Sequence, residues 1–287
     1  MSRTAPGGVT ETAPAKINLY LHVLGRRLDG YHLLDSLVAF ADMGDELRVE
    51  PADDLSLRIE GPFAPELAGH ADNLVLKAAR LLAGDRGARL TLVKNLPVAA
   101  GLCGCSADAA AALRALRALW ALDLPDGALA TLAFRLGADV PVCLAGRVMF
   151  VGGAGEDLAP APRLPAAGMV LVNPGRKLPT AEVFAAREGP FSGAARFDSL
   201  PRDAAALAGL LAARRNDLEP AAIRLVPAVT AVLAGLRASP GCRLARMSGS
   251  GATCFGLYDD RAVAEQAAAW LAERERAWWI KAALLAV

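Results

Sequence analysis

Between Arg89 and Trp120 the chain changes backbone habit abruptly. Arg89 to Lys94 alternates like a strand, and Ala107 to Trp120 is a run of strong helix formers. The join between them is Pro97-Val98-Ala99-Ala100-Gly101-Leu102-Cys103-Gly104-Cys105-Ser106, built almost wholly of small residues. A helix N-terminus carries amide N–H groups without partners and a partial positive charge. A small-residue loop ahead of it lets the backbone close around an anion. The loop is not a Walker A loop, because it lacks a Gly-Lys-Ser/Thr ending, and it lacks the Gly-x-Gly-x-x-Gly spacing of a dinucleotide fold. On its own it reads equally as a phosphate cradle or as a tight strand-to-helix turn packed by small side chains.

The bulk composition removes several alternatives. Over 287 residues, 54% are hydrophobic and 21% charged, so the chain can bury a core and disorder is not expected. Lys and Arg number 31 against 30 acids, which leaves no field to hold a polyanion and argues against nucleic acid as a partner. No apolar run reaches the roughly 18 residues that suggest a membrane span. Residues 1–12 are polar, lack the apolar centre of a secretory signal, and are expected to form a flexible tail. Five cysteines (103, 105, 143, 242 and 254) form no disulfide framework, which fits a cytoplasmic protein. Cys103 and Cys105 are one residue apart rather than the two of a zinc knuckle.

Short strand patterns alternate with longer helical ones. Strands are expected at 17–24, 46–50, 55–60, 89–94, 148–151, 169–172, 243–247 and 253–258. Helices are expected at 73–82, 107–120, 126–136, 204–214, 229–237 and 262–274, the first capped by Asp72 or Asn73. Gly137 to Pro141 reads as a loop. Recurring prolines between Leu158 and Pro165 suggest a domain boundary. The class is α+β in two lobes: a domain at 13–160 and another at 161–287.

Three further segments carry chemistry-bearing residues. Ala13-Pro14-Ala15-Lys16-Ile17-Asn18-Leu19 places Lys16 and Asn18 at the start of an apolar strand, where charge seldom enters without a partner. The alternative is a surface lysine at a strand edge. Gly137-Ala138-Asp139-Val140-Pro141 holds an acid in a constrained loop, or an exposed aspartate capping a turn. Ser248-Gly249-Ser250-Gly251-Ala252-Thr253 is a second small-residue turn that can approach phosphate or sugar, or an ordinary hairpin turn.

In this order and at these spacings, the four segments resemble the GHMP kinase superfamily. Asp29-Gly30-Tyr31-His32 and Leu136 to Pro141 narrow the likeness to the kinases of 4-diphosphocytidyl-2-C-methyl-D-erythritol, over nearly the whole chain. That resemblance implies two lobes with a site in the cleft between them. It implies transfer of the γ-phosphoryl group of ATP, with Mg²⁺, to the 2-hydroxyl of the cytidylylated substrate in the non-mevalonate isoprenoid pathway. By the same resemblance Asp139 is the base, Lys16 its electrostatic partner, and 97–107 (the loop with Ala107) the phosphate site. Asn18, Tyr31, His32, Thr180 and Phe184 face the substrate, with cytosine stacked between aromatic rings. Asn73 and Lys94 neighbour the nucleotide, and Gly249, Ser250 and Gly251 form the second turn. Other GHMP kinases, acting on homoserine or mevalonate, and a catalytically silent nucleotide binder remain alternatives.

The loop departs from the family's glycine-rich pattern. Ala99 or Ala100, Cys103 and Cys105 stand where glycines are usual, Ala107 replaces a serine, and Asp108 adds negative charge. A side chain at any position needing positive φ is strained. Asp108 needs magnesium or Lys94 to offset it. A helix N-terminus that lowers thiol pKa values would make the loop cysteines reactive. The metal ligands and the oligomeric state are not legible in the sequence.

Overall fold

The computed structural model describes residues 7–67 and 73–286, which form two compact units. The first comprises the described residues up to Ala15, Gly44–Val98 and Cys103–Gly146. It takes the start of β1 (Val9–Arg26) and the end of β2 (His32–Ala52). β3 (Leu55–Glu60) runs parallel to β4 (Gly87–Val93), from Leu55↔Ala88 to Glu60↔Val93. A parallel pair needs a crossover, and a 3-10 turn at Ala64–Leu67 with helix α1 (Leu74–Ala83) lies on the connecting segment. On its other edge β4 pairs antiparallel with β2, from Glu46↔Val93 to Ala52↔Gly87.

α1 buries Val75, Ala78, Ala79 and Leu82, a stripe at helical spacing. The stripe packs on α2 (Gly104–Leu119), which also meets α3 (Asp126–Leu136) and α4 (Val140–Ala145). α2 buries Ala107 to Leu113 without a break, so a run of alanines brings neighbouring backbones close. One residue of that run, Asp108, is charged.

The second unit comprises Lys16–Met43, Ala99–Leu102 and Arg147 onward. There the first half of β2 pairs with β5 (Met149–Gly153), which turns back on β6 (Asp157–Pro160). β7 (Gly168–Asn173) is buried at every position. Next come α5 (Thr180–Ala185), α6 (Ala204–Ala212), α7 (Glu219–Leu225) and α8 (Ala228–Ala238). The hairpin β8 (Leu244–Met247) and β9 (Cys254–Tyr258), helix α9 (Arg261–Arg274) and β10 (Trp279–Ala286) complete the unit. The antiparallel order β10-β7-β9-β8 carries a core in which Val170, Val172 and Tyr258 meet Val229, Val232 and Leu236 of α8 and Leu271 of α9.

Several expectations need correction. Val9 to Thr12 belong to β1, not to a tail: Arg114 donates to Glu11 Oε2 at 2.8 Å and to the Thr12 carbonyl at 2.9 Å. Residues 1–6 and Asp72 lie outside the described residues. Val140 to Ala145 are helical rather than loop, because Pro141 sits in the first turn, where its missing N–H costs nothing. The alanine- and leucine-rich segment from Trp279 to Leu284, for which no element was expected, pairs with β7. The first half of β2, α5 and α7 were not anticipated.

Candidate active site

Four consecutive carbonyls of the small-residue loop are held by three segments of the second unit. Ala99 O accepts from Leu178 N (3.2 Å), Ala100 O from Thr253 N (3.1 Å), and Leu102 O from Lys16 N (3.2 Å). Gly101 O accepts from the Ser248 hydroxyl at 3.0 Å. Gly101 has φ +73°, and a Cβ there would stand 2.4 Å from the Ser248 carbonyl, so only glycine fits. The loop is thereby pinned through its acceptors, and an anion site needs donors.

The turn that pins it joins β8 to β9, so it is a hairpin turn and a loop anchor at once. Ser248 N–H donates to Thr253 O (2.9 Å), and Gly251 N–H to Ser248 O (3.0 Å). Asn216 Nδ2 donates to the carbonyls of Met247 and Gly249, both at 2.8 Å, while its Oδ1 accepts from Leu218 N. The Ser250 and Thr180 hydroxyls share a hydrogen bond of 2.9 Å.

Lys16 and Asn18 are each only 4% exposed, which excludes a surface lysine at a strand edge. They project to one face of β1, two residues apart. Asn18 N–H donates to Ser248 Oγ at 3.2 Å, and Asn18 Nδ2 to Ser36 Oγ at 2.8 Å.

Asp29 to His32 form a tight hairpin tip. Gly30 has φ +91°, Asp29 Oδ1 accepts from Tyr31 N at 3.2 Å, and Arg27 N–H donates to Tyr31 O at 2.7 Å. The Tyr31 ring is 62% exposed and is not a core residue. Phe184 has one side on the core, and His32 stacks on it at 4.9 Å between ring centroids. That spacing is a direct stack with no room for a base between the two rings. Burial, then Arg26 and Arg187, lower the His32 pKa, which keeps the imidazole neutral and able both to donate and to accept.

In the first unit, Cys103 is the N-cap of α2, and its side chain makes no cap hydrogen bond. Cys103 Sγ–H donates to Asp139 Oδ2 at 3.1 Å. Asp139 precedes α4, is half-buried and does not cap that helix with its side chain, so the exposed-cap reading fails.

Beneath the start of α2 lies a buried ion cluster. Lys94 Nζ donates to Asp45 Oδ2 at 2.5 Å and to Asp108 Oδ2 at 2.7 Å, and the three side chains are 0%, 0% and 2% exposed. Asp45 Oδ1 also accepts from Asn95 N (2.6 Å) and Leu96 N (2.8 Å), whereas Asp108 Oδ1 has no partner among the described residues. A Cβ on Gly104 would stand 2.8 Å from Lys94 Nζ, so the glycine makes room for the ammonium. Burial pushes the Asp108 carboxyl up, opposed by Lys94. Burial alone would lower Lys94, but the two carboxylates hold it above its ordinary value.

Comparison with known proteins places this arrangement. The family described as GHMP kinases N terminal domain matches residues 73–147, and GHMP kinases C terminal matches 197–276. A 4-diphosphocytidyl-2-C-methyl-D-erythritol kinase of Paramagnetospirillum magneticum is 56% identical, over 95% of this chain and 97% of its own. One from Rhodospirillum rubrum is 52% identical, over 97% and 93%. The chain belongs to the 4-diphosphocytidyl-2-C-methyl-D-erythritol kinase family. A crystal structure of 4-(cytidine 5'-diphospho)-2C-methyl-D-erythritol kinase shares 38% identity and a TM-score of 0.79, over 97% of this chain and all of that one. A homoserine kinase from Cytophaga hutchinsonii, at 18% identity and TM-score 0.70, shares the GHMP kinase fold.

For a member of this kinase family, the unusual loop side chains have physical consequences. Ala99 (φ +51°) and Cys103 (φ +49°) both occupy left-handed backbone, the strained case anticipated from the sequence. Asp108 is offset by Lys94, as one of the two options required. Lys94 itself is fully buried between two carboxylates. Asn73 caps α1, its Oδ1 accepting from Val75 N at 2.8 Å. Burial raises the Cys105 thiol, first over the lowering by Lys94, so the expected reactive thiol is not found there. Asp45, Ser36 and Asn216 were missed, because each acts through contacts distant in sequence and none sits in a recognisable motif.

Proposed function

We propose that this chain transfers the γ-phosphoryl group of ATP to the 2-hydroxyl of 4-diphosphocytidyl-2-C-methyl-D-erythritol, giving the 2-phosphate and ADP in isoprenoid precursor synthesis. The observation that carries the proposal is the hydrogen bond between Cys103 at the head of α2 and Asp139. It sets a carboxylate beside a helix N-terminus, a proton acceptor next to an anion site.

In this reading the N–H groups at the start of α2 and Ser106 hold the ATP phosphates. Mg²⁺ comes with the triphosphate and neutralises its oxygens. Asp139 accepts the proton of the substrate hydroxyl as its oxygen bonds to the γ-phosphorus and the bond to the bridging oxygen of ADP breaks. Lys16 offsets the negative charge on the reacting oxygens. Asn18 and Thr180 contact the substrate, and Gly249, Ser250 and Gly251 lie in the turn whose ends, Ser248 and Thr253, hold the small-residue loop. Cytosine stacks on Phe184 in exchange for His32, with Tyr31 covering it. The five free cysteines suit a reducing cytoplasm, and no described helix is long and apolar enough to cross a membrane.

The test is ADP release with ATP and Mg²⁺ plus, separately, the cytidylylated methylerythritol, homoserine and mevalonate. Release with the first alone is expected. Release with homoserine or mevalonate instead overturns the substrate, and ATP binding without release from any of the three overturns the activity.

A further inference from the structure

Asn18 Oδ1 is a buried acceptor without a donor among the described residues, in a residue only 4% exposed. Its orientation is not arbitrary. The Ser36 hydroxyl lies 2.5 Å from the Tyr20 carbonyl, and two acceptors approach that closely only with a proton between them, so Ser36 donates there. Its oxygen is then left to accept, and it accepts from Asn18 Nδ2 at 2.8 Å. Ser36 is 1% exposed and reads the amide as a donor. The amide cannot flip without setting two acceptors against each other, so Oδ1 must face the other way, towards the 248–251 turn. There Gly249, with φ +54°, has no side chain; a Cβ would stand 3.3 Å from Oδ1. Buried polar atoms are nearly always paired, so this one is set for a donor that comes from outside.

We propose that Ser36 is a positioning residue that fixes the Asn18 amide with its oxygen towards the substrate, where it accepts a hydrogen bond from an alcohol hydroxyl. This rests on the kinase reading above and specifies one of its contacts. An acceptor rejects phosphate oxygens, which carry no proton to give at neutral pH. Asn18 therefore selects the polyol of the acceptor substrate over either phosphate chain. Lys16, two residues away on the same face of β1, supplies the positive charge that phosphate oxygens need. The two neighbours sort hydroxyl from phosphate.

The experiment is steady-state kinetics of the full chain and its Ser36→Ala, Ser36→Thr, Asn18→Ala and Ser36→Ala/Asn18→Ala variants with ATP and the cytidylylated methylerythritol. Loss of one hydrogen-bond partner to a buried amide predicts about a tenfold fall in kcat/KM for the polyol substrate in Ser36→Ala. The KM for ATP stays as in the parent, and Ser36→Thr, which keeps the hydroxyl, stays within a few-fold. In the Asn18→Ala background, Ser36→Ala has no further effect, because Ser36 acts only through that amide. Equal falls in both backgrounds, or a matching rise in KM for ATP, show a general structural role and overturn the proposal. Should Ser36→Ala fail to fold, Ser36→Cys keeps the shape with a weakly accepting sulfur and is held to the same two outcomes. An inactive parent overturns the kinase reading and this inference with it; an active parent with additive variants overturns this inference alone.

Discussion

Replacing Lys94 with methionine tests whether the buried cluster under α2 is an ionic structure. The substitution keeps an unbranched side chain, one atom shorter, and removes the ammonium. It leaves Asp45 and Asp108, 0% and 2% exposed, with no cation between them. Asp45 keeps the amides of Asn95 and Leu96. Asp108 loses the ammonium that donates to its Oδ2, its other oxygen being unpartnered among the described residues. Removing one member of a buried pair costs about 3–5 kcal/mol. With a urea m-value of about 2 kcal/mol/M, the midpoint falls by roughly 1.5–2.5 M.

The pH dependence separates this from simple loss of packing. Burial already raises the Asp108 carboxyl, and without Lys94 nothing opposes the rise. A carboxyl whose folded pKa exceeds its unfolded one is stabilising when protonated, so stability falls as pH rises from the ordinary carboxylate range through the raised value. The variant should lie nearest the parent at pH 5 and furthest at pH 8, read by urea unfolding followed by circular dichroism. Adding Asp108→Asn should recover part of the loss at pH 8. A Lys94→Met variant within about 1 kcal/mol of the parent at pH 8, or equally destabilised at both pH values, refutes the reasoning.

Other substitutions probe the loop and its anchors. Cys103→Gly should raise unfolding stability by about 1 kcal/mol by relieving left-handed backbone. It should also lower kcat, because the carboxylate of Asp139 loses a donor; a variant that is more stable and equally active refutes that link. Gly101→Ala should abolish measurable ATP binding in a fluorescent-nucleotide titration, because its Cβ collides with the Ser248 carbonyl. Asn216→Ala frees two carbonyls of the 247–249 segment and should cost about 2 kcal/mol in chemical unfolding, with faster amide exchange at Gly249 to Thr253.

The sequence was legible where one local rule governs. The helix at 126–136 and the strand at 55–60 were anticipated to the residue, because caps, prolines and alternation agree there. β10 was not, because its alanines and leucines prefer helix and only pairing with β7 makes them a strand. The site shows the same division. Small residues, a lysine entering a buried strand and an acid in a tight turn announce chemistry locally. What positions them does not: Ser36 reaches Asn18 across the β1–β2 hairpin, Asn216 reaches Gly249 over 33 positions, and Asp45 reaches Lys94 over 49. Lys94 illustrates the limit, since nothing near it in sequence announces its pairing with Asp45.

The central claim is that Asp139 takes the hydroxyl proton beside the N-terminus of α2. Single-turnover transfer from γ-labelled ATP to the cytidylylated methylerythritol, compared between parent and Asp139→Asn, tests it most directly. The variant should bind ATP as the parent does and transfer about 10²–10⁴-fold more slowly. Transfer at the parent rate would contradict the assignment.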